Sequence, residues 1–317
     1  MDERALHVTN GDAAVFDIAR AAGVAPESVL PWRDVLHDGP VPSGLGAEAL
    51  ARVRAAHLAA RGWASEAEAL LSLLERDARL AGHPQDAPVV LWFEDDLYDA
   101  LQLIQAVERI DRHIGRATWT LVPLGGLPFR GIPERPTDEL AEAYANRAMP
   151  NGAGAYAGRV WDAFTAGDVL ALDALSRAPA PLEAVPSALR RLLEELPNVN
   201  DRLGRTERVL LEATADRPVT GIEAFVACAR REKRPFLGDT VAFDRLDGLV
   251  ASGLVETSGR GHAAERTFTA SDRGRRVLAG EERAVPTRRW LGGREVGSPE
   301  GPHWSREAGR VVSGERA

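Results

Sequence analysis

The stretch PVVLWFEDDLYDALQLIQ, residues 88–105, decides how the chain is read. Val89 to Phe93 is an unbroken apolar run rich in β-formers, the pattern of a strand buried on both faces of a parallel sheet. Three carboxylates follow at once, Glu94, Asp95 and Asp96, and the chain then takes helical spacing, with Leu97, Leu101 and Ile104 on one stripe. Polar side chains between a buried strand and a helix start stand where open α/β sheets bind ligands. Asp95, Asp99 and Gln102 form a polar stripe of the same helix. Asp96 is expected to cap the helix, since its carboxylate can accept the free N–H groups of the first turn. Glu94, still on the strand end, has no such evident structural task.

Working outward, Leu6–Thr9 reads as a short strand and Asn10-Gly11-Asp12 as a turn leading into a helix that stops at Gly23. Strand, turn and helix open a βαβ unit, but one glycine is too few for the dinucleotide fingerprint. Residues 29–42, VLPWRDVLHDGPVP, start as a strand and become a loop dense in Trp32, Arg33, Asp34, His37 and Asp38. Such loops carry function disproportionately. A structural reading stands beside the functional one: Arg33 pairs with Asp34 or Asp38, Trp32 packs on the core, and His37 caps a neighbouring group. Helices follow over 47–61 and 65–81, with Ser65 and Glu68 as a capping box and apolar stripes Leu50, Val53, Leu58 and Leu70, Leu71, Leu74. Residues 117–124 read as the next strand, ending at Gly125-Gly126. Alternating strands and helices predict a Rossmann-like parallel α/β domain over 1–130. A helical extension or connector is expected over 131–196.

After Pro197 the texture changes. Three helices (204–213, 220–230, 239–248), two short strands (250–255, 266–270) and a basic helix (271–280) give the pattern of a winged-helix-like α+β domain, placed at 197–304. Residues 305–317 are expected to be a flexible tail. In DNA binding the third helix would enter the major groove. Here it holds Asp239, Asp244 and Asp247 against a single Arg245, a poor face for phosphate. Residues 1–196 carry 18 basic against 29 acidic residues, while 197–280 carry 14 against 12. An acidic front half argues against nucleic acid there, and the back half permits DNA or protein contact. One cysteine, Cys228, excludes an intramolecular disulfide and a cysteine-based zinc site. A start without signal-peptide regions and the lack of a membrane-length apolar run lead to the expectation of a soluble cytoplasmic protein without membrane contact.

Three motifs resemble one family: LHVTNGD at 6–12, LPWRDVLHDGPVP at 30–42 and LWFEDDLYDALQL at 91–103. They are similar to the bacterial family whose N-terminal domain is the domain of unknown function number 1835. The C-terminal region associated with that domain is resembled through GRTER at 204–208, RPFLGD at 234–239 and RWLGG at 289–293 with Trp304. The resemblance implies two domains and no particular activity. The family often has His where this chain has Asp95.

Two functional expectations result. In the first, loops at Asn10–Asp12, Trp32–Gly39, Glu94–Asp99 and Gly125–Pro128 converge on one sheet edge to bind a small phosphorylated ligand. Hydrolysis or transfer at a phosphate ester is the reaction class this inventory suits. His37, Asp38 and Glu94 are the catalytic candidates, with His37 as general acid or base. Asn10, Gly11, Asp12, Trp32, Arg33, Asp34, Asp95, Asp99 and Gln102 are the ligand-binding candidates, Arg33 as the anion clamp. No dedicated metal-ligand motif is read; Asp12, Asp34, Asp38 and Glu94 could hold a hard cation such as Mg²⁺. In the second, the chain is a ligand-responsive regulator whose C-terminal domain contacts DNA or protein.

Overall fold

The computed structural model describes residues 4–114, 119–298 and 300–312, and the chain divides into two units. Unit 1 comprises Met1–Leu189 with Leu291–Arg294; unit 2 comprises Arg190–Trp290 with Glu295–Ala317.

Unit 1 is built on four strands, β1 (Leu6–Thr9), β2 (Val29–Pro31), β3 (Val89–Trp92) and β4 (Trp119–Leu121), in the order β2-β1-β3-β4. All three pairings are parallel. Every β3 residue is buried, as its unbroken apolar sequence demands. Val90 and Trp92 pack on one face with Ile18 of α1 (Val15–Ala22) and with Leu140 and Tyr144 of α5 (Thr137–Ala145). By alternation Val89 and Leu91 point to the other face. Between them the chain adds α2 (Ala47–Ala60), α3 (Glu66–Ala81) and α4 (Leu97–Glu108). Of the strand expected over 117–124, Ala117 and Thr118 lie outside the described residues.

Of the helices expected over 131–196 as an extension or connector, those as far as Leu189 belong to unit 1. They are α5, α6 (Ala153–Ala166), α7 (Val169–Leu175) and α8 (Val185–Leu193), the last running across the boundary. α5 packs on α1 and α6 on α4, so these helices cover the first half of the chain rather than bridge away from it. Leu291–Arg294, the end of the RWLGG segment and the residue after it, joins them: Gly293 N–H donates to the Phe164 carbonyl at 2.9 Å, and Val41 N–H to the Gly292 carbonyl at 2.8 Å. Gly292 sits at φ 58°, and a Cβ there would overlap the Phe164 carbonyl oxygen.

Unit 2 contains α9 (Arg205–Ala213), β5 (Val219–Thr220), α10 (Gly221–Arg230), α11 (Asp239–Ala251), β6 (Val255–Ser258), β7 (Thr267–Ala270) and α12 (Asp272–Ala279). Its antiparallel sheet has the order β5-β7-β6. Leu210, Leu211, Ala224, Phe243, Leu246, Leu249, Phe268 and Val277 form one core. The chain continues through β8 (Arg289–Leu291) and β9 (Arg294–Val296), then β10 (His303–Ser305) and β11 (Arg310–Val312). The tail expected from residue 305 is therefore an antiparallel hairpin as far as Val312, tied down because Val199 N–H and Asn198 Nδ2 both donate to the Trp304 carbonyl. Residues 313–317 lie outside the described residues. Among the described residues no helix is long and apolar enough to cross a membrane.

Candidate functional site

The strand order places β1 and β3 side by side while their connections leave in opposite directions, β1 through α1 to β2 and β3 through α4 to β4. Such a switch point opens a crevice beyond the carboxyl ends of the two strands. The turn after β1 and the acids after β3 both emerge there. Asn10 Nδ2 donates to Asp99 Oδ1 at 2.8 Å, and Glu94 N–H donates to Asp99 Oδ2 at 2.6 Å. Asp96 caps α4, its Oδ1 accepting from Asp99 N–H at 3.0 Å. Glu94 Oε1 accepts from Ile132 N–H.

One ligand oxygen from each of Glu94, Asp96 and Asp99 lies within 4.8 Å of the others, and all three side chains are buried. Burial, then the charges of Glu94 and Asp95, push the Asp96 carboxyl up to about 8. Burial, then Asp96 and Glu94, hold Asp99 well above the ordinary carboxylate range. Burial raises Glu94 as well, against the opposing Ile132 N–H and the charge of Arg135. Without a cation Asp96 is therefore the carboxyl that keeps its proton at neutral pH. Among the described residues none of the three forms an ion pair with Arg, Lys or His.

The other acids of the expected site are committed elsewhere. Asp34 is buried against Arg54, Nε to Oδ1 at 3.0 Å. Asp38 meets His57 Nε2 at 2.9 Å and Arg61 at 3.8 Å. Asp12 binds Arg33 through two contacts, at 2.8 and 2.5 Å, on the exposed rim. The expected cation set of Asp12, Asp34, Asp38 and Glu94 is thus not brought together; only Glu94 lies in the cluster. Asp38 is thus held between His57 and Arg61. Trp32 is fully buried, donates from Nε1 to Gln105 Oε1 at 2.6 Å, and carries the Arg76 guanidinium over its ring at 4.3 Å.

The remaining candidates fall around the cluster. His37 is half-buried, its ring edge-on to Tyr98 with centroids 5.9 Å apart. Tyr98 lies on α4 between Asp96 and Asp99, and its phenol is raised by burial first, with the charges of Asp99, Asp34 and Asp96 adding to this. Gln102 is buried and donates to the Asp34 carbonyl at 2.7 Å, tying α4 to the loop. Asp95 turns the other way and accepts from Gly126 N–H at 3.1 Å. Gly11 is extended at φ −161° with open space where a Cβ would stand, so this turn does not require glycine. Arg33 sits at φ 56°, a left-handed conformation that aims its side chain at Asp12.

Arg54 was missed from the sequence, although its position carries a signal. It lies four residues from Leu50 and from Leu58, on the buried stripe of α2. There its Nη1 donates to the Asp38 carbonyl at 2.8 Å and Nη2 to the Val35 carbonyl at 2.8 Å. Arg76 lies likewise on the buried line of α3 with Leu73 and Leu80, and donates to the Trp32 carbonyl at 3.2 Å. A cation inside an apolar stripe is the signature of a buried polar knot.

No protein-family model matches the chain. No curated protein matches it. Among solved structures, the Aeropyrum pernix ORC1 protein in complex with DNA is similar at 14% identity, covering 87% of this chain and 86% of that one, with a TM-score of 0.22. A TM-score that low gives no ground for a shared fold.

Proposed function

We propose that unit 1 binds a small phosphorylated ligand at the carboxyl edge of its sheet, with a divalent cation held by Glu94, Asp96 and Asp99. One observation supports this above the others: among the described residues these three buried carboxyls have no Arg, Lys or His within ion-pair distance, whereas Asp12, Asp34 and Asp38 each have one. Burying several carboxyls together is costly unless they are neutralised by protons or by a cation. An all-oxygen donor set fits a hard ion such as Mg²⁺. When bound, the ion supplies positive charge to a phosphate group. Asn10 and the Glu94 and Ile132 N–H groups hold the acids in place. His37, whose ring packs on Tyr98 of α4, is the proton-transfer group for hydrolysis or transfer at a phosphate ester. Arg33 reaches an anionic ligand only in competition with Asp12. The 6–12, 30–42 and 91–103 motifs supply the residues of this edge, and on them we assign the chain to the family with domain of unknown function number 1835.

A second reading concerns unit 2, taken as a winged helix. Three helices with an antiparallel β5-β7-β6 sheet support it. On α11, Asp239 and Asp247 are exposed whereas Arg245 is buried. That face favours a protein partner over DNA.

A dye-shift screen of nucleotides and small phosphate esters, with and without Mg²⁺, tests the first reading. Wild type should be stabilised by at least one ester in a Mg²⁺-dependent way, Glu94→Gln should lose the response, and His37→Ala should keep binding. No response in wild type, or an unchanged response in Glu94→Gln, contradicts it.

A further inference from the structure

Unit 2 holds a cavity of about 280 Å³ that is separate from the acids of unit 1. Its wall carries three guanidiniums, Arg190, Arg205 and Arg306, against one carboxylate, Glu194. The three cations are not equally committed. Arg205 is paired with Glu194 at 2.8 Å and Glu232 at 3.4 Å. Arg306 binds both oxygens of Asp201, at 2.6 and 3.3 Å. Arg190 meets no carboxylate within ion-pair distance among the described residues; its contact is the Gly309 carbonyl at 3.4 Å. Gly309 makes room for it. That residue sits at φ 60°, and a Cβ there would stand 2.5 Å from Arg190 Nη2.

The cavity wall is also fixed. Asn198 is buried and donates to the Trp304 carbonyl at 2.9 Å, while its own oxygen accepts from Asn200 N–H at 2.9 Å. Arg190 is thus the lining cation that no carboxylate neutralises at ion-pair distance among the described residues, and its guanidinium fork matches the oxygens of a phosphate or carboxylate. The volume suits a small molecule.

We propose that this cavity binds an oxyanion, the phosphate or carboxylate group of a small molecule, with Arg190 as its main ligand-binding cation. The test is calorimetric titration of the full chain with inorganic phosphate and, separately, with malonate, at low ionic strength in the presence of a chelator. At least one of the two should bind at one site per chain. Arg190→Gln should weaken that binding at least tenfold, and Arg190→Lys should recover part of it. Arg310→Gln removes an exposed guanidinium outside the cavity and should bind as wild type does. Thermal midpoints of all variants, measured in parallel, should agree within a few degrees. The relative response to phosphate and malonate tells the two ligand chemistries apart. No binding of either anion to wild type, or equal binding by Arg190→Gln, overturns the proposal.

Discussion

Replacing Arg54 by Met should destabilise unit 1 more than any single change on its surface. The guanidinium and its partner Asp34 are each 1% exposed. Besides the carboxylate, Arg54 serves the carbonyls of Val35, Asp38 and Pro40 at 2.8, 2.8 and 3.3 Å, so one side chain closes the whole 35–40 loop. Removing one partner of a buried pair costs about 3–5 kcal/mol, because the other charge is left without compensation. The orphaned carbonyls add to this, giving roughly 4–7 kcal/mol. For a unit of this size, at about 2–4 °C per kcal/mol, that lowers the melting midpoint by roughly 8–28 °C. Five of the seven tryptophans (Trp32, Trp63, Trp92, Trp119 and Trp161) lie in unit 1, so urea unfolding followed by fluorescence reports mainly on it. Adding Asp34→Asn to Arg54→Met removes the stranded charge and should recover about 2–3 kcal/mol relative to additivity. A loss below about 1 kcal/mol for Arg54→Met, or strict additivity in the double variant, would refute the buried-knot reasoning.

Other outcomes follow from the same geometry. Gln105→Leu strands the buried Trp32 Nε1–H and should cost about 1–3 kcal/mol, with Trp32→Phe restoring part of it; urea titration checks both. His7 is buried, accepts from Trp92 Nε1 at 2.9 Å, and is lowered to about 4 by burial and then by Arg147. Its contribution is therefore complete above pH about 6.5 and is lost as pH falls toward 4, at up to roughly 1.4 kcal/mol per pH unit. The pH slope of wild type minus His7→Leu isolates this contribution from other titrating groups. Asp96 works in the opposite sense: raised from 3.8 to about 8, it favours the folded state at low pH, and that stability is lost as pH rises toward 8. Asp96→Asn, which keeps an N-cap acceptor, should flatten the loss in metal-free urea titrations.

The sheet was legible because β3 announces itself. Four consecutive buried positions, all apolar or aromatic, followed directly by acids, leave few alternatives to a central parallel strand. The Asp96 cap was legible for the same local reason. The roles of the individual acids were not, because pairing is decided across the fold: Asp12 meets Arg33 from 21 residues away and Asn10 meets Asp99 from 89 residues away. On α3, Leu70 of the expected stripe packs on the cluster of Ala55, Leu58 and Ala69, but Leu71 is 57% exposed and the buried line is Ala69, Leu73, Arg76 and Leu80. A charged residue hid that line, since Arg76 scores as polar while its guanidinium serves the Trp32 carbonyl inside. In unit 2, β5 is two residues long, too short for any alternation to show.

The most direct test of the acid cluster is a titration of Mn²⁺ into metal-free protein, followed by electron paramagnetic resonance at several pH values. One ion per chain should bind, displacing protons from the cluster, so affinity should rise as pH is raised toward the Asp96 value of about 8. Asp99→Asn and Glu94→Gln should each lose at least tenfold in affinity. Absence of binding at pH 8, or wild-type affinity in both variants, would contradict a cation site at Glu94, Asp96 and Asp99.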